Sequence, residues 1–235
     1  MALVVQRNSK DRTGGEAPAE GAVAEMRQRG QARRTRIINT AVRLMWRDGY
    51  AAVGIDRILK DAGATKGSFY HFFASKDELV VAALDAHWAT RRVDLDRVFS
   101  PTLPPLERLK NYFAHIFARQ TAVRQKYGRV LGCFHHSVGS ECIQAAPVIA
   151  AKVQSVVTMY RMYLETTLRD AKAVGLIRAG DPVVHAKTLL AFIEGALTQA
   201  RIHDDPELLR NLEGTGLALI GLGSAAQDAE ATHPG

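Results

Sequence analysis

The sequence predicts an all-α fold on three observations. Apolar residues return at i, i+3 and i+4 in one segment after another, the spacing that gathers them on one side of a helix. No stretch alternates apolar and polar residues as a half-buried strand does, and no internal repeat is visible. The segments are also punctuated as helices are. Asp181-Pro182 and Asp205-Pro206 each set a capping acid before a proline suited to the first turn, and Gly63 stands where one run stops.

Taken in order, residues 1–30 are rich in Gly, Ala, Glu and Arg without an apolar period and read as a disordered basic arm. A first helix is expected from about Arg33 to Asp48, burying Ile37, Ile38, Ala41, Val42 and Met45. Ile55, Ile58, Leu59 and Ala62 share one face of a second, which Gly63 and Ala64 end; Thr65 then caps a third that starts at Lys66. Lys76 to about Phe99 reads as a longer helix with Leu79, Val80, Ala83, Leu84 and Trp88 facing inward, broken by the prolines of residues 100–105. Beyond them, Leu106 to Phe117, Leu131 to Ile143, Pro147 to Ala173, Pro182 to Ile202 and Pro206 to Leu222 are each expected to be helical, with a disordered tail over 223–235.

The stretch Gly54–Phe73 carries the functional signal. Two short helices joined by a tight turn place Phe69, Phe72 and Phe73 on one side and Gly67, Ser68, Tyr70 and His71 roughly on the other. Such a pair is either a helical hairpin of an ordinary core or a helix-turn-helix. In the second case the polar side enters a DNA major groove, and the first backbone N–H groups meet phosphate oxygens.

The whole run from Arg33 to Trp88 resembles the DNA-binding domain of the TetR family of bacterial repressors. The basic start RRTRIINTAVRLMWRDGY, the Gly49-Tyr50 pair, the second helix closing in DAG and TKGSFYHFFASKDEL carry the likeness, with Tyr70, Phe73, Ser75, Lys76 and Leu79 in the family's order. The resemblance implies a three-helix helix-turn-helix domain over 31–91, joined by a linking helix to a helical effector-binding and dimerisation domain over 92–222. It also implies a homodimer paired through its last two helices, a double-stranded operator as partner, a small-molecule effector, and no catalysis. Lys66, Tyr70, His71 and Lys76 are then expected on phosphates, with Gly67 and Ser68 nearest the bases, Thr65 beside them as the cap, and Arg33 and Arg34 on the backbone. One departure is Val53-Gly54, where the family often carries a threonine or serine that touches phosphate.

Charge agrees with that placement. The chain carries +7, yet Arg27 to Lys76 alone holds eleven Lys/Arg against three Asp, so the positive excess sits where DNA would be read. No apolar run is long enough to cross a membrane, and MALVVQRNSK is too short a hydrophobic stretch for a signal peptide. A cytoplasmic protein without a membrane partner is expected, and two cysteines fit a reducing compartment.

The segment 128–147 crowds Cys133, His135, His136, Glu141 and Cys142 together. It lacks a CxxC pair, and Cys133 and Cys142 would face opposite ways on a helix, so no metal is expected. Ser137 lacks the preceding glycine of a nucleophile elbow, and no cofactor is implied. Gly132-Cys133 followed by a short helix and Glu141 resembles regulators of this family that respond to unsaturated or electrophilic metabolites. Cys133 is thus a sensor thiol, if a neighbour lowers its pKa, or a buried unreactive cysteine. An effector pocket is expected among Phe113, Phe117, Cys133, His136, Met159, Tyr163 and Phe192. A ligand-independent architectural DNA binder and a helical enzyme are the readings from other classes.

Overall fold

The computed structural model describes residues 20–142 and 146–222, and every regular element among them is helical. These are α1 (Glu20–Asp48), α2 (Ile55–Ala62), α3 (Lys66–Phe72), α4 (Lys76–Val98), α5 (Pro105–Tyr127), α6 (Phe134–Cys142), α7 (Pro147–Ala173), α8 (Pro182–His203), a 3-10 turn (Pro206–Leu209) and α9 (Leu212–Leu219). The arm over 1–19 and the tail over 223–235 lie outside the described residues. No described helix is long and apolar enough to cross a membrane.

The cap chemistry works as the residue types require. Ser75 accepts from the Glu78 N–H at the start of α4, while the Glu78 carboxylate takes the Ala74 N–H at 2.7 Å. Asp181 accepts from the Val183 N–H ahead of Pro182. Helix α8 ends on Asp204, left-handed at φ 51, a strained choice for a residue with a Cβ. Its carboxylate holds the Val130 N–H at 2.7 Å, which ties the end of α8 to the chain between α5 and α6.

Four expectations are corrected. Helix α1 starts at Glu20, not near Arg33, so part of the expected arm is helical. Over 24–29 the chain is made of good helix formers, and the Glu25–Arg29 pair at 3.1 Å adds local support, so this stretch needs no buried stripe. Helix α5 runs ten residues past Phe117, because buried Gln120 and Val123 continue its inner face under a polar disguise. Helix α6 begins at Phe134, three residues later than expected. Gln120 holds both backbone groups of Gly132, at 3.0 and 3.1 Å, and Trp46 donates to the Leu131 carbonyl at 3.1 Å, so the backbone there is satisfied without a helix. The final helix is split into a 3-10 turn and α9, with Arg210 and Asn211 between them.

Two apolar clusters form the interior. One is built from α1–α4 and continues into Val123, Leu131, Phe134, Val138, Cys142, Ile149 and Val153. The other joins the later half of α4 with α5, α7, α8 and α9. Helix α4 belongs to both, and α6 lies against α1 while the start of α7 packs on α4 and α6, so the first three helices rest on the following half of the chain.

Candidate nucleic-acid interface

The turn between α2 and α3 is fixed by its own residues. Gly63 takes the left-handed conformation (φ 58) and its N–H returns to Leu59 and Lys60. Thr65 caps α3 in a reciprocal box: its hydroxyl accepts from the Ser68 N–H at 3.2 Å, and the Ser68 hydroxyl accepts from the Thr65 N–H at 3.1 Å. Phe69 and Phe73 are fully buried beneath and anchor the helix, while Phe72 is half-buried. Gly54 caps α2 without a side-chain bond, in keeping with the departure noted above.

On the outer side the structure brings Lys66, Gly67, Tyr70 and His71 together, all exposed; Tyr70 keeps 61% of its surface free and leans edge-on against Phe69 at 5.1 Å. Lys66 pairs with Asp56 at 3.0 Å, but both side chains are largely in water, where such a pair yields readily to a phosphate. Arg33 is exposed, and Arg34 stacks its guanidinium 5.2 Å over Phe73.

Two expected contacts differ in character. Ser68 spends its hydroxyl on the cap and reaches outward less freely than expected. Lys76 turns inward: its ammonium donates to the Tyr50 carbonyl at 2.9 Å and lies 4.0 Å over the Tyr50 ring, and burial lowers its pKa. It pins the α1–α2 turn to the start of α4. Nearby Glu141 on α6, read in the sequence only as part of a cysteine-rich segment, accepts the Ala51 N–H at 3.0 Å. It thereby ties the later half of the chain to the same turn. A carboxylate ninety residues away leaves no periodic signal that could have disclosed this contact.

Gly67 has no packing reason to be glycine. A Cβ there would meet nothing within 4 Å, and its backbone is helical. Gly67→Ala is therefore expected to raise thermal stability slightly, by up to about 1 kcal/mol, while weakening DNA binding. The readouts are Tm and the affinity for an operator duplex, and unchanged affinity would remove Gly67 from the close approach to bases.

The seven expected effector residues do not line one pocket. Cys133 borders a small cavity of about 40 Å³ with Tyr112, Arg119, Tyr160 and Glu194. Met159 and Tyr163 line a separate groove of about 440 Å³ between α4 and α7, with Trp88, Phe99 and Met162. His136 faces outward between α7 and α8. Phe113 is core, with Gly216 close against its ring, Phe117 lies under the Arg210 guanidinium at 4.9 Å, and Phe192 packs half-buried on the same cluster. Helical periodicity identifies inward-facing residues but does not say which inner gap each reaches.

The Cys133 thiol is held against ionisation. Burial pushes its pKa well up, and Glu194, its hydrogen-bond partner, pushes the same way. Cys142 is buried as well, with its thiol raised to about 11. Among the described residues no group of His, Cys, Asp and Glu is placed to hold a metal.

Residues 37–83 match the profile of bacterial regulatory proteins of the tetR family, and residues 105–213 match the profile of the tetracyclin repressor-like C-terminal domain. The chain belongs to the TetR family. It is similar to the transcriptional regulator AcuR of Cereibacter sphaeroides, 29% identical over 76% of this chain and 81% of the relative. It is likewise similar to the transcriptional repressor NemR of Escherichia coli, 26% identical over 76% and 88%. The fold matches a crystal structure of reduced E. coli NemR, with a TM-score of 0.72 at 24% identity, covering 81% of this chain and 98% of that one. A TetR regulatory protein of Rhodobacter sphaeroides matches with a TM-score of 0.69 at 28% identity, covering 77% and 95%. As a TetR-family member the protein is a transcriptional regulator and not an enzyme.

Proposed function

We propose that this regulator binds an operator as a homodimer and represses transcription until a small molecule releases it. The observation that carries this reading is the outer face of α3, where Lys66, Gly67, Tyr70 and His71 are exposed on a helix anchored by Phe69 and Phe73. Lys66, Tyr70, His71, Arg33 and Arg34 hold phosphates in this reading, Gly67 meets the bases, and Thr65, Ser68 and Lys76 position the helix. Residues 31–91 form the reading domain and 92–222 the effector and dimerisation domain, the two sharing α4.

The dimer face needs its own residues. Leu189, Leu190, Ile193, Leu197, Leu209, Leu212, Leu217 and Ile220 are buried within one chain and are spent on its core. The outer side of α8, with Val184, Ala191 and Gly195 exposed, is left for the partner; a Cβ on Gly195 would meet nothing within 4 Å, so a second helix can approach closely there. Two copies then present two α3 helices to two half-sites.

The effector, in this reading, docks without a covalent bond in the α4–α7 groove. Its volume of about 440 Å³ is in the range of small-molecule sites, and aromatic and methionine side chains line it beside the polar Arg92 and Thr166. An occupant that favours one setting of α4 over the other shifts the reading heads by that difference in affinity.

Binding of the purified protein to its own upstream DNA, at two salt concentrations and against a scrambled duplex, tests the proposal. Tight, salt-sensitive, sequence-preferring binding is expected. Tyr70→Ala and Lys66→Ala should each lose roughly tenfold or more in affinity, of the order of one charge-assisted contact at about 1.5 kcal/mol, while remaining folded dimers. Wild-type affinity in both would contradict the assignment. Cys133→Ser should leave both operator binding and effector release intact; loss of release in that variant would move the mechanism to the thiol.

A further inference from the structure

A groove of about 840 Å³ runs between α1, α4 and α5, on residues the operator-binding reading does not use. Its walls carry Arg36 and Arg43 from α1, Arg91 from α4, and Arg119 and Lys126 from α5, with no Asp or Glu among the lining residues. Arg43 and Arg91 each have a carboxylate partner at 3.1 Å, Asp61 and Asp94, placed outside the groove. Arg36, Arg119 and Lys126 have no ion-pair partner among the described residues.

Arg119 is the informative one. Its guanidinium reaches inward to the His87 Nε2 at 3.2 Å and lies 5.2 Å over the Trp46 ring. It has given up much of its water, as its pKa, lowered to about 10 chiefly by burial, agrees. Beside it the Arg91 Nε is buried without a hydrogen-bond partner. On its groove side this desolvated cation meets an imidazole and an indole and no carboxylate within ion-pair distance, and an anion in the groove would supply the missing negative charge.

We propose that this groove is a binding site for a small organic molecule bearing a di- or triphosphate. Three cations without partners call for about three negative charges, more than one phosphate monoester carries at neutral pH. Guanidinium groups match phosphate oxygens in forked geometry. The volume lies within the range of small-molecule sites and leaves room for an organic portion beyond the phosphates. The site differs in place and chemistry from the α4–α7 groove, and an occupant would tie α1 of the reading half to α5 of the other.

The chain holds two tryptophans, Trp46 and Trp88, so Trp88→Phe leaves Trp46, under Arg119, as the sole indole reporter. Inorganic pyrophosphate and tripolyphosphate, titrated at constant ionic strength without DNA, are expected to change Trp46 emission saturably in the sub-millimolar range. Monophosphate should bind at least tenfold more weakly. Arg119→Gln should weaken pyrophosphate at least tenfold, and the surface variants Arg36→Gln and Lys126→Gln severalfold each. Those two keep the test open if Arg119→Gln does not fold, and calorimetric titration of the unmodified chain gives the affinity without any variant. The proposal is overturned by a change that tracks ionic strength without saturating, or by equal affinity in the Arg36 and Lys126 variants. A response to duplex DNA but not to pyrophosphate overturns it too and assigns the groove to nucleic acid. None of these readings depends on the operator being known, so failure here is distinct from failure of the repressor proposal.

Discussion

Trp46→Ala is expected to lower the unfolding free energy by about 3–5 kcal/mol, the range for removing a large buried aromatic. Trp46 keeps only 6% of its surface exposed and sits where α1, α4, α5 and α6 converge. Its ring meets His87 edge-on at 5.2 Å and Phe134 at 6.3 Å, with the Arg119 guanidinium on its face. Its indole N–H donates to the buried Leu131 carbonyl at 3.1 Å, a bond that satisfies the non-helical backbone ahead of α6. Truncation removes the packing of both halves against each other and leaves a space that neighbours on four helices cannot all move to fill.

Trp46→Phe separates the two contributions. It retains most of the apolar contact and loses the hydrogen bond, but the Leu131 carbonyl also accepts from Arg201 at 3.3 Å and is not left bare. A cost near 1 kcal/mol is expected for it. Denaturant unfolding, compared at equal m-values, measures both. A Trp46→Ala cost under about 1 kcal/mol would show that this junction does not hold the two halves together.

The residues that were legible from sequence and those that were not divide by the range of the interaction. Thr65, Gly63, Ser75, Asp181 and Pro182 act within four residues of themselves, and their types alone set the turn, the caps and the first turns of α3, α4 and α8. The buried stripes of α2 and α4 follow from period. Trp46 to Leu131, Glu141 to Ala51 and Asp204 to Val130 span seventy residues or more. Nothing in local pattern chooses such partners. The expected effector residues fall in different places for a related reason: Phe113, Cys133 and Met159 all face inward, but period does not say which gap, if any, each borders. The apolar carboxyl end shows a further ambiguity, because a stripe that packs on its own chain and one that packs on a copy have the same period.

Acid is expected to unfold the protein through two histidines on the same seam. His135 on α6 is fully buried, its Nε2 lies 3.2 Å from the Leu84 carbonyl of α4, and its ring lies 4.8 Å from that of His87. Burial lowers the His135 pKa to about 4, and Arg119 and Arg91 nearby oppose a further positive charge. His87 is driven well below its ordinary value by burial and then by His135. In the unfolded chain both titrate near 6.5. Above that pH neither state binds the proton and the pair has no effect on stability. As pH falls below about 6.5 the unfolded state takes up protons that the folded state refuses, so stability drops by up to about 1.4 kcal/mol per pH unit for each histidine. For His135 the loss is complete near pH 4 and amounts to about 3 kcal/mol; His87 adds to it in the same direction. The measurement is denaturant unfolding from pH 8 to 4.5 in wild type and in His135→Gln, which cannot take a proton in this range yet can still donate to the Leu84 carbonyl. A shallower slope in the variant, even if its stability at pH 8 is lower, is the expected result; parallel curves would place the acid sensitivity elsewhere. His135 and His87 join α6 to α4, so a proton on either ring disfavours the buried contact between those two helices.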